Sequence, residues 1–215
     1  MPFAWILALA SILPPVPSGT ELTALLVVVC FSAGLNVYAT VAMLGLLSHV
    51  HVLSLPPSLR IVDNWYVIAI CGVLFLVEFV GDKIPIFDLL WNAMHTFVRV
   101  PVAGLITYGA TAQLPEWERL AATLAGSLIA LAAHGGKTAA RAAVSHSPEP
   151  ISNIALSLGE DGLVVFLLWF AARHAHAAAG IAVVGLVVIA VMIRAVARAM
   201  RNLFGEAEGT LARGS

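Results

Sequence analysis

The sequence predicts an all-α protein, a polytopic transmembrane helix bundle with about six spans. Two observations support this prediction: 60% of the 215 residues are hydrophobic and only 11% are charged, which gives a mean hydropathy of +0.97. A soluble domain carries roughly 25% charged residues, whereas a membrane crossing needs about 20 consecutive apolar residues. The length therefore fits one compact transmembrane domain, which we assign to residues 20–204.

The apolar segments follow one another with short polar breaks between them. No Lys or Arg precedes Arg60, so residues 1–19 are expected to be an interfacial or half-spanning segment rather than a signal peptide. Thr20 and Glu21 favour a helix start, with the acid at the positive end of the helix dipole. We expect helical runs at 22–47, 64–80, 85–111, 120–133, 151–172 and 177–200, followed by a disordered tail at 205–215.

Two small-residue segments predict broken helices. One lies near Gly34, where Asn36 follows within an apolar run, and the other lies near Gly135. Both segments precede a proline-containing loop and then a long span. Residues 20–111 and 115–204 can be two repeats with three membrane spans each. Because three is an odd number of crossings, the second repeat then has the opposite orientation in the membrane. The result is the 3+3 inverted repeat common among secondary transporters.

Charge and cysteine content limit the location and the partners. Arg194, Arg198 and Arg201 at the end of the last run favour a cytoplasmic C-terminus of a multi-pass membrane protein. A net charge of −1 without a basic run argues against nucleic acid. Cys30 and Cys71 lie in apolar runs and are expected to be buried thiols. The lipid bilayer is the main expected partner, and a homo-oligomer is left open.

Four segments carry polar side chains at helical spacing, which puts each set on one face. The sets are Asp88, Asn92, His95 and Arg99; His134, Thr138, Arg141 and Ser145; Asn153, Ser157 and Glu160; and Glu78 with Asp82. An ionised side chain that faces lipid costs about 2.5–3.5 kcal/mol, so these faces are expected to turn towards one another or towards a water-filled cavity. The candidate substrate-binding or proton-binding residues are Asn36, Glu78, Asp82, Asp88, His95, Arg99, His134, Lys137, Arg141, Glu160 and Asp161.

The residue types in these sets favour a transporter that couples proton movement to a small cation. Carboxylates suit hard cations, and no Cys or Met cluster suits soft ones. Glu78, Asp82 and Glu160 are the expected ion or proton carriers and the only candidates for metal ligands, although no tight multi-ligand motif is present.

Two other interpretations stay open. Arg99, Lys137 and Arg141, with His134, could form a site for a phosphate-bearing lipid or a small organic anion. Alternatively, the charges could only hold helices together in a non-transporting scaffold. We expect no enzymatic activity and no cofactor, because trios such as Ser145, His146 and Asp161 often arise from composition alone.

Several of these motifs also carry a resemblance to a known family. They are Ser-Ala-Gly-Leu-Asn-Val-Tyr-Ala-Thr at 32–40, Glu-Phe-Val-Gly-Asp-Lys-Ile-Pro at 78–85, His-Thr-Phe-Val-Arg at 95–99, His-Gly-Gly-Lys at 134–137, Ser-Pro-Glu-Pro at 147–150 and Leu-Gly-Glu-Asp at 158–161. Over about residues 20–175 the chain resembles a family of small bacterial integral membrane proteins known only as a domain of unknown function. This resemblance implies a polytopic membrane fold, a location in the bacterial inner membrane and no particular activity.

Residues 78–84 are also similar to the repeated motif of the calcium/manganese–proton exchangers, which reads Glu, any residue, Gly-Asp, Lys or Arg, Thr or Ser. This chain departs from that motif by one extra residue and by Ile84 where a hydroxyl is expected. The similarity implies only a choice of first substrates to test.

Overall fold

The computed structural model describes residues 18–82, 85–144 and 150–213, and all regular structure in these ranges is helical. In chain order the helices are α1 (Gly19–Leu35), α2 (Val37–His49), a 3₁₀ helix (Pro57–Asp63), α3 (Trp65–Gly81), α4 (Pro85–Ala110), α5 (Glu116–Val144), α6 (Pro150–Ala171) and α7 (Ala175–Arg213). Side chains are not described for residues 85–93, 142–144, 150–153, 196, 199, 200 and 202–213. Most of the predicted 1–19 segment lies outside the described residues.

The first helix begins two residues earlier than the sequence predicts. Ser18 is the N-cap: its Oγ accepts a hydrogen bond from the Glu21 N–H at 3.3 Å, and its own N–H donates to Glu21 Oε2 at 2.8 Å. This reciprocal pair is a capping box, which satisfies two of the N–H groups left free at a helix start. Glu21 therefore acts through a hydrogen bond as well as through the dipole.

The predicted break near Gly34 is confirmed and centres on Asn36. Helix α1 ends at Leu35, α2 begins at Val37, and Asn36 between them has an extended backbone (φ −149°, ψ 103°). Asn36 Oδ1 accepts from the Ala39 N–H at 2.9 Å and so caps α2.

The predicted break near Gly135 is wrong, because α5 runs continuously from Glu116 to Val144. The glycine that follows serves helix packing instead: a Cβ on Gly136 would lie 2.7 Å from Cγ2 of Ile189 in α7. The end of α7 also differs from the disordered tail predicted at 205–215, since the helix continues to Arg213. No proline interrupts that segment, and a Glu-Ala-Glu stretch favours helix.

Helix α1 is the central element, in contact with α4, α5, α6 and α7. Every residue from 28 to 37 is buried. The closest approach is to α5, where a Cβ on Gly34 would lie 2.7 Å from the Ala133 Cβ. Small residues at this crossing let the two backbones approach, as is common in membrane bundles.

Replacing Gly34 with alanine is expected to destabilise the fold by about 1–3 kcal/mol through overpacking at this crossing. Gly72, in the middle of α3, has nothing within 4 Å of a built Cβ. Gly72→Ala should therefore be neutral or stabilise by up to about 1 kcal/mol through helix propensity. Thermal unfolding of the two purified variants measures both changes in stability. An equal stability of Gly34→Ala and Gly72→Ala would contradict the close α1–α5 crossing.

The described part of the chain buries charged side chains within an apolar core and exposes many large apolar side chains. Tyr66 is 80% exposed and Phe97 83%, whereas Glu78 and Arg99 are 0% exposed. This is the reverse of a soluble protein, in which paired charges lie mostly outside. Two described helices contain segments long and apolar enough to cross a membrane, Ile154–Ala171 and Ala175–Ala195. The 3₁₀ helix and α3, bent by 58°, count as a third if they form one span. These features are compatible with a membrane protein.

Candidate functional site

Four helices, α3 to α6, bring buried polar side chains together with Asn36 at the α1–α2 break, and we call this set the polar centre. Its members are Asn36, Glu78, Asp82, His95, Arg99, His134, Lys137, Arg141, Glu160 and Asp161, each at most 9% exposed. The sequence predicts all ten as site residues. The eleventh, Asp88, lies in α4, and its side chain is outside the described residues.

The Arg99 guanidinium connects three helices. It donates from Nη2 to Glu78 Oε1 at the end of α3, and from Nη1 to His134 Nδ1 in α5 at 2.6 Å. It also lies 3.5 Å from the carbonyl oxygen of Gly34 in α1. The five N–H donors of a guanidinium let this one side chain serve acceptors in these separate directions.

These contacts determine the tautomer of His134. A guanidinium only donates hydrogen bonds, so His134 Nδ1 accepts and carries no proton. The ring proton of the neutral imidazole is then on Nε2, which lies 2.7 Å from the Thr96 hydroxyl oxygen. Protonation of Nδ1 would therefore break the contact with Arg99, and through it would disturb Glu78.

Lys137 is the most highly shared cation of the polar centre. Its Nζ lies 3.4 Å from Glu78 Oε1, 3.2 Å from Asp82 Oδ2 and 3.4 Å from Glu160 Oε2. Arg141 Nη2 contacts the last two carboxylates as well, at 2.7 Å from Asp82 Oδ2 and 2.9 Å from Glu160 Oε2. Two cations thus lie among three carboxylates, with Arg99 as a third cation on the other side of Glu78.

The helix break supplies Lys137 with one further acceptor. In a continuous helix the Ala39 N–H would bond to the Leu35 carbonyl, but here it bonds to Asn36 Oδ1. The Leu35 oxygen instead accepts from Lys137 Nζ at 3.1 Å. A helix C-terminus carries partial negative charge, so the break favours a cation at this point.

Asp161 stands apart from the ion pairs. Its Oδ1 accepts from Asn36 Nδ2 at 2.9 Å, while its Oδ2 is buried and has no hydrogen-bond partner among the described residues. The neighbouring Glu160 faces Lys137 and Arg141. Adjacent acids on α6 therefore have different environments, one ion-paired and one held by a neutral amide.

Sequence reasoning missed two partners of the histidines. The Tyr38 hydroxyl lies 2.9 Å from His95 Nε2, with the rings edge to face at 5.4 Å between centroids. The other is Thr96, beside His134. Tyr38 lies inside the 32–40 motif and Thr96 inside the 95–99 motif, which were the available signals. Neither falls on a predicted polar face.

The three candidate metal ligands lie around a lysine in this arrangement. Glu78, Asp82 and Glu160, the proposed metal candidates, surround the Lys137 ammonium rather than one open position. Within the described ranges, no three His, Cys, Asp or Glu side chains are grouped to hold a metal ion. A cation could reach these acids only if Lys137 or Arg141 moved.

A comparison with protein-family models matches residues 23–195 to the family described as "Domain of unknown function (DUF4126)". The chain belongs to this family. The first resemblance seen in the sequence is thereby confirmed, and DUF4126 covers all the described members of the polar centre. The match gives no support to the similarity with calcium/manganese–proton exchangers. Searches of curated proteins and of solved structures find no match to this chain.

Proposed function

We propose that this DUF4126 protein is a membrane transporter that couples proton movement to a small cation through the polar centre. The observation that supports this proposal is Asp161, a buried acid beside a network of ion pairs, whose own hydrogen-bond donor is a neutral amide. An acid in this setting can exchange a proton for another cation without breaking a salt bridge. A buried ionisable group in a membrane bundle marks a functional site by default.

In this proposal the paired charges form the responsive part of the site. Lys137 has four acceptors, three carboxylates and the Leu35 carbonyl, so a small movement changes which acid it neutralises. Binding of a cation near Asp161 repels Lys137, and loss of that cation draws Lys137 back. Asn36 links the two parts, because it holds Asp161 and also leaves the Leu35 carbonyl to Lys137.

The anion-site interpretation has less support. Arg99, Lys137 and Arg141 each contact at least one carboxylate, so an incoming anion would have to displace an internal partner. The scaffold interpretation accounts for the ion pairs as links between helices, since α3, α4, α5 and α6 all contribute to them. It gives no role to Asp161, whose burial stabilises no ion pair among the described residues.

The membrane arrangement belongs to the same proposal. We assign about six spans, a bacterial inner-membrane location and a cytoplasmic C-terminus, the last supported by exposed Arg194, Arg198 and Arg201 on α7. A 3+3 inverted repeat is kept as part of the proposal. Its halves would differ, because the first has a break at Asn36 and α5 has none at Gly135.

Proton-coupled flux in proteoliposomes tests the proposal. The vesicles contain a pH-sensitive dye in the lumen. In separate experiments, Na⁺, K⁺, Mg²⁺, Ca²⁺ or methylammonium is made more concentrated inside the vesicles than outside. At least one of these cations should drive lumenal pH changes with wild-type protein, and Asp161→Asn should reduce that rate at least about tenfold, as expected for loss of a required charge. Asp63→Asn, which changes a half-exposed acid paired with His49, is the matched control. The proposal fails if no cation is coupled, or if Asp161→Asn transports like wild type.

A further inference from the structure

A groove of about 540 Å³ opens directly beside the polar centre. It lies over α2, between α3 and α6, and among the described residues that line it Asp161 is the only charged one. Four of the other lining residues are aromatic: Phe75 and Phe79 from α3, and Phe166 and Trp169 from α6. Its volume is in the range of about 300–1,000 Å³ usual for sites that hold small organic ligands.

The chemistry of this lining selects for positive charge. Aromatic faces attract ammonium-type cations through their quadrupoles, and this attraction is strongest where water is excluded. When it is ionised, Asp161 adds a negative charge, and Asn36 orients its carboxylate from behind by donating to Oδ1. The second oxygen of Asp161 is buried without a hydrogen-bond partner among the described side chains, so the acid is not neutralised from within the groove.

A second groove of similar size shows the opposite charge. It has about 500 Å³ between α2, α3 and α4 and is also lined by apolar residues, but its charged side chain is Arg119. The Arg119 guanidinium lies 3.3 Å from the centroid of the Tyr108 ring, so this groove already contains its own cation–π pair. The two grooves therefore differ in the charge that lines them. Arg173 lies 5.6 Å from the centroid of the Trp169 ring but is not among the residues that line the Asp161 groove. Of these two grooves, the one at Asp161 combines an acid with several aromatic faces.

We propose that the Asp161 groove binds a hydrophobic organic cation, an ammonium or phosphonium with aromatic or aliphatic substituents. This inference rests on the proposed function and names the substrate class of the same site. The positive charge lies over Asp161 and the aromatic side chains, and the apolar substituents lie along Met43 and Val165. Since Phe166 and Trp169 are each nearly half exposed on the apolar exterior, the ligand enters sideways from the bilayer.

The test uses tetraphenylphosphonium as the probe and tetraphenylborate as its matched anion of the same shape. Binding of each to the full-length protein in neutral detergent is measured by equilibrium dialysis. Tetraphenylphosphonium should bind and tetraphenylborate should not. Asp161→Asn should weaken cation binding at least about tenfold, and Trp169→Ala about threefold to tenfold, the range expected for loss of one cation–π contact. Trp117→Ala, at an exposed tryptophan on α5, is the control and should change nothing.

Equal binding of the two probes would overturn the inference and would indicate non-specific partition into the groove or into the detergent. The inference would also be overturned if Asp161→Asn and Trp169→Ala both bound tetraphenylphosphonium as tightly as wild type. If Asp161→Asn does not fold, Phe166→Ala replaces it as the variant that changes the groove. Phe97→Ala, at a phenylalanine exposed elsewhere, is then the control, and binding of tetraphenylphosphonium to the two is compared.

The two proposals fail in different ways. If tetraphenylphosphonium binds through Asp161 but neither it nor any inorganic cation drives proton flux, the site stands and the transport proposal is wrong. If an inorganic cation exchanges for protons but tetraphenylphosphonium does not bind, the transport proposal stands and the substrate class is wrong.

Discussion

Lys137→Met is expected to lower the free energy of unfolding by about 3–5 kcal/mol, the usual effect of removing one partner from a buried ion pair. Lys137 lies within 3.4 Å of Glu78, Asp82 and Glu160, and its Nζ is the only described group that contacts all three. Without it, Asp82 and Glu160 share Arg141, and among the described side chains these two negative charges remain buried beside one positive charge. Unfolding with increasing sodium dodecyl sulfate, followed by circular dichroism, measures the loss.

Two comparisons separate this effect from a general loss of charge. Arg60→Met changes an exposed cation and should be near neutral. The double variant Lys137→Met/Glu160→Gln leaves two one-to-one pairs, Glu78 with Arg99 and Asp82 with Arg141, and should recover most of the loss. If Lys137→Met is as stable as wild type, the ion network does not hold the helices together as described.

Glu78→Gln is expected to reduce proton-coupled flux to the level of empty vesicles. Glu78 is fully buried and accepts from both Arg99 and Lys137, so its charge offsets the repulsion between the two cations and positions each one. A neutral amide of the same shape leaves Arg99 without its carboxylate partner and draws Lys137 fully towards Asp82 and Glu160. With Lys137 held there, cation binding at Asp161 no longer changes its position.

The flux measurement needs a variant that has folded and a control that removes a similar charge. Glu116→Gln is the control, because Glu116 is 66% exposed and lies 3.9 Å from Arg119. Both variants should elute from gel filtration as wild type does before reconstitution. Wild-type flux from Glu78→Gln would show that Glu78 neither carries nor controls the proton, and would remove it from the proposed site.

The polar faces were predictable because two simple constraints act together. Helical periodicity puts His95 and Arg99 on one face of α4, and the cost of exposing an ion to lipid turns that face inward. Both side chains are buried in the structure, as are His134 and Arg141 of α5. Lys137 lies next to the predicted α5 face rather than on it, and its long side chain still reaches the same acids.

The helix breaks were predictable only in part, because small residues have two uses in a bundle. Glycine permits a break, and it also permits close approach of two continuous helices. At Gly34 both uses occur, since Asn36 two residues later provides a side-chain cap for the new helix. After Gly135 the nearest cap-forming residue is Thr138, but its hydroxyl donates to the His134 carbonyl oxygen instead of capping a new helix. The helix continues there, and Gly136 serves contact with Ile189. The use of the polar side chain is what distinguishes the two positions.

By itself, the sequence determined that this chain is an apolar helical protein with charged faces turned inward, because composition and helical spacing are local properties. The tertiary structure decided which acid meets which base. Lys137 and Glu78 are 59 positions apart, and only the packing of α1, α3 and α5 brings them together. It also decided that Asp161 meets an amide while Glu160 meets two cations, because neighbouring residues on a helix point about 100° apart and therefore face different partners.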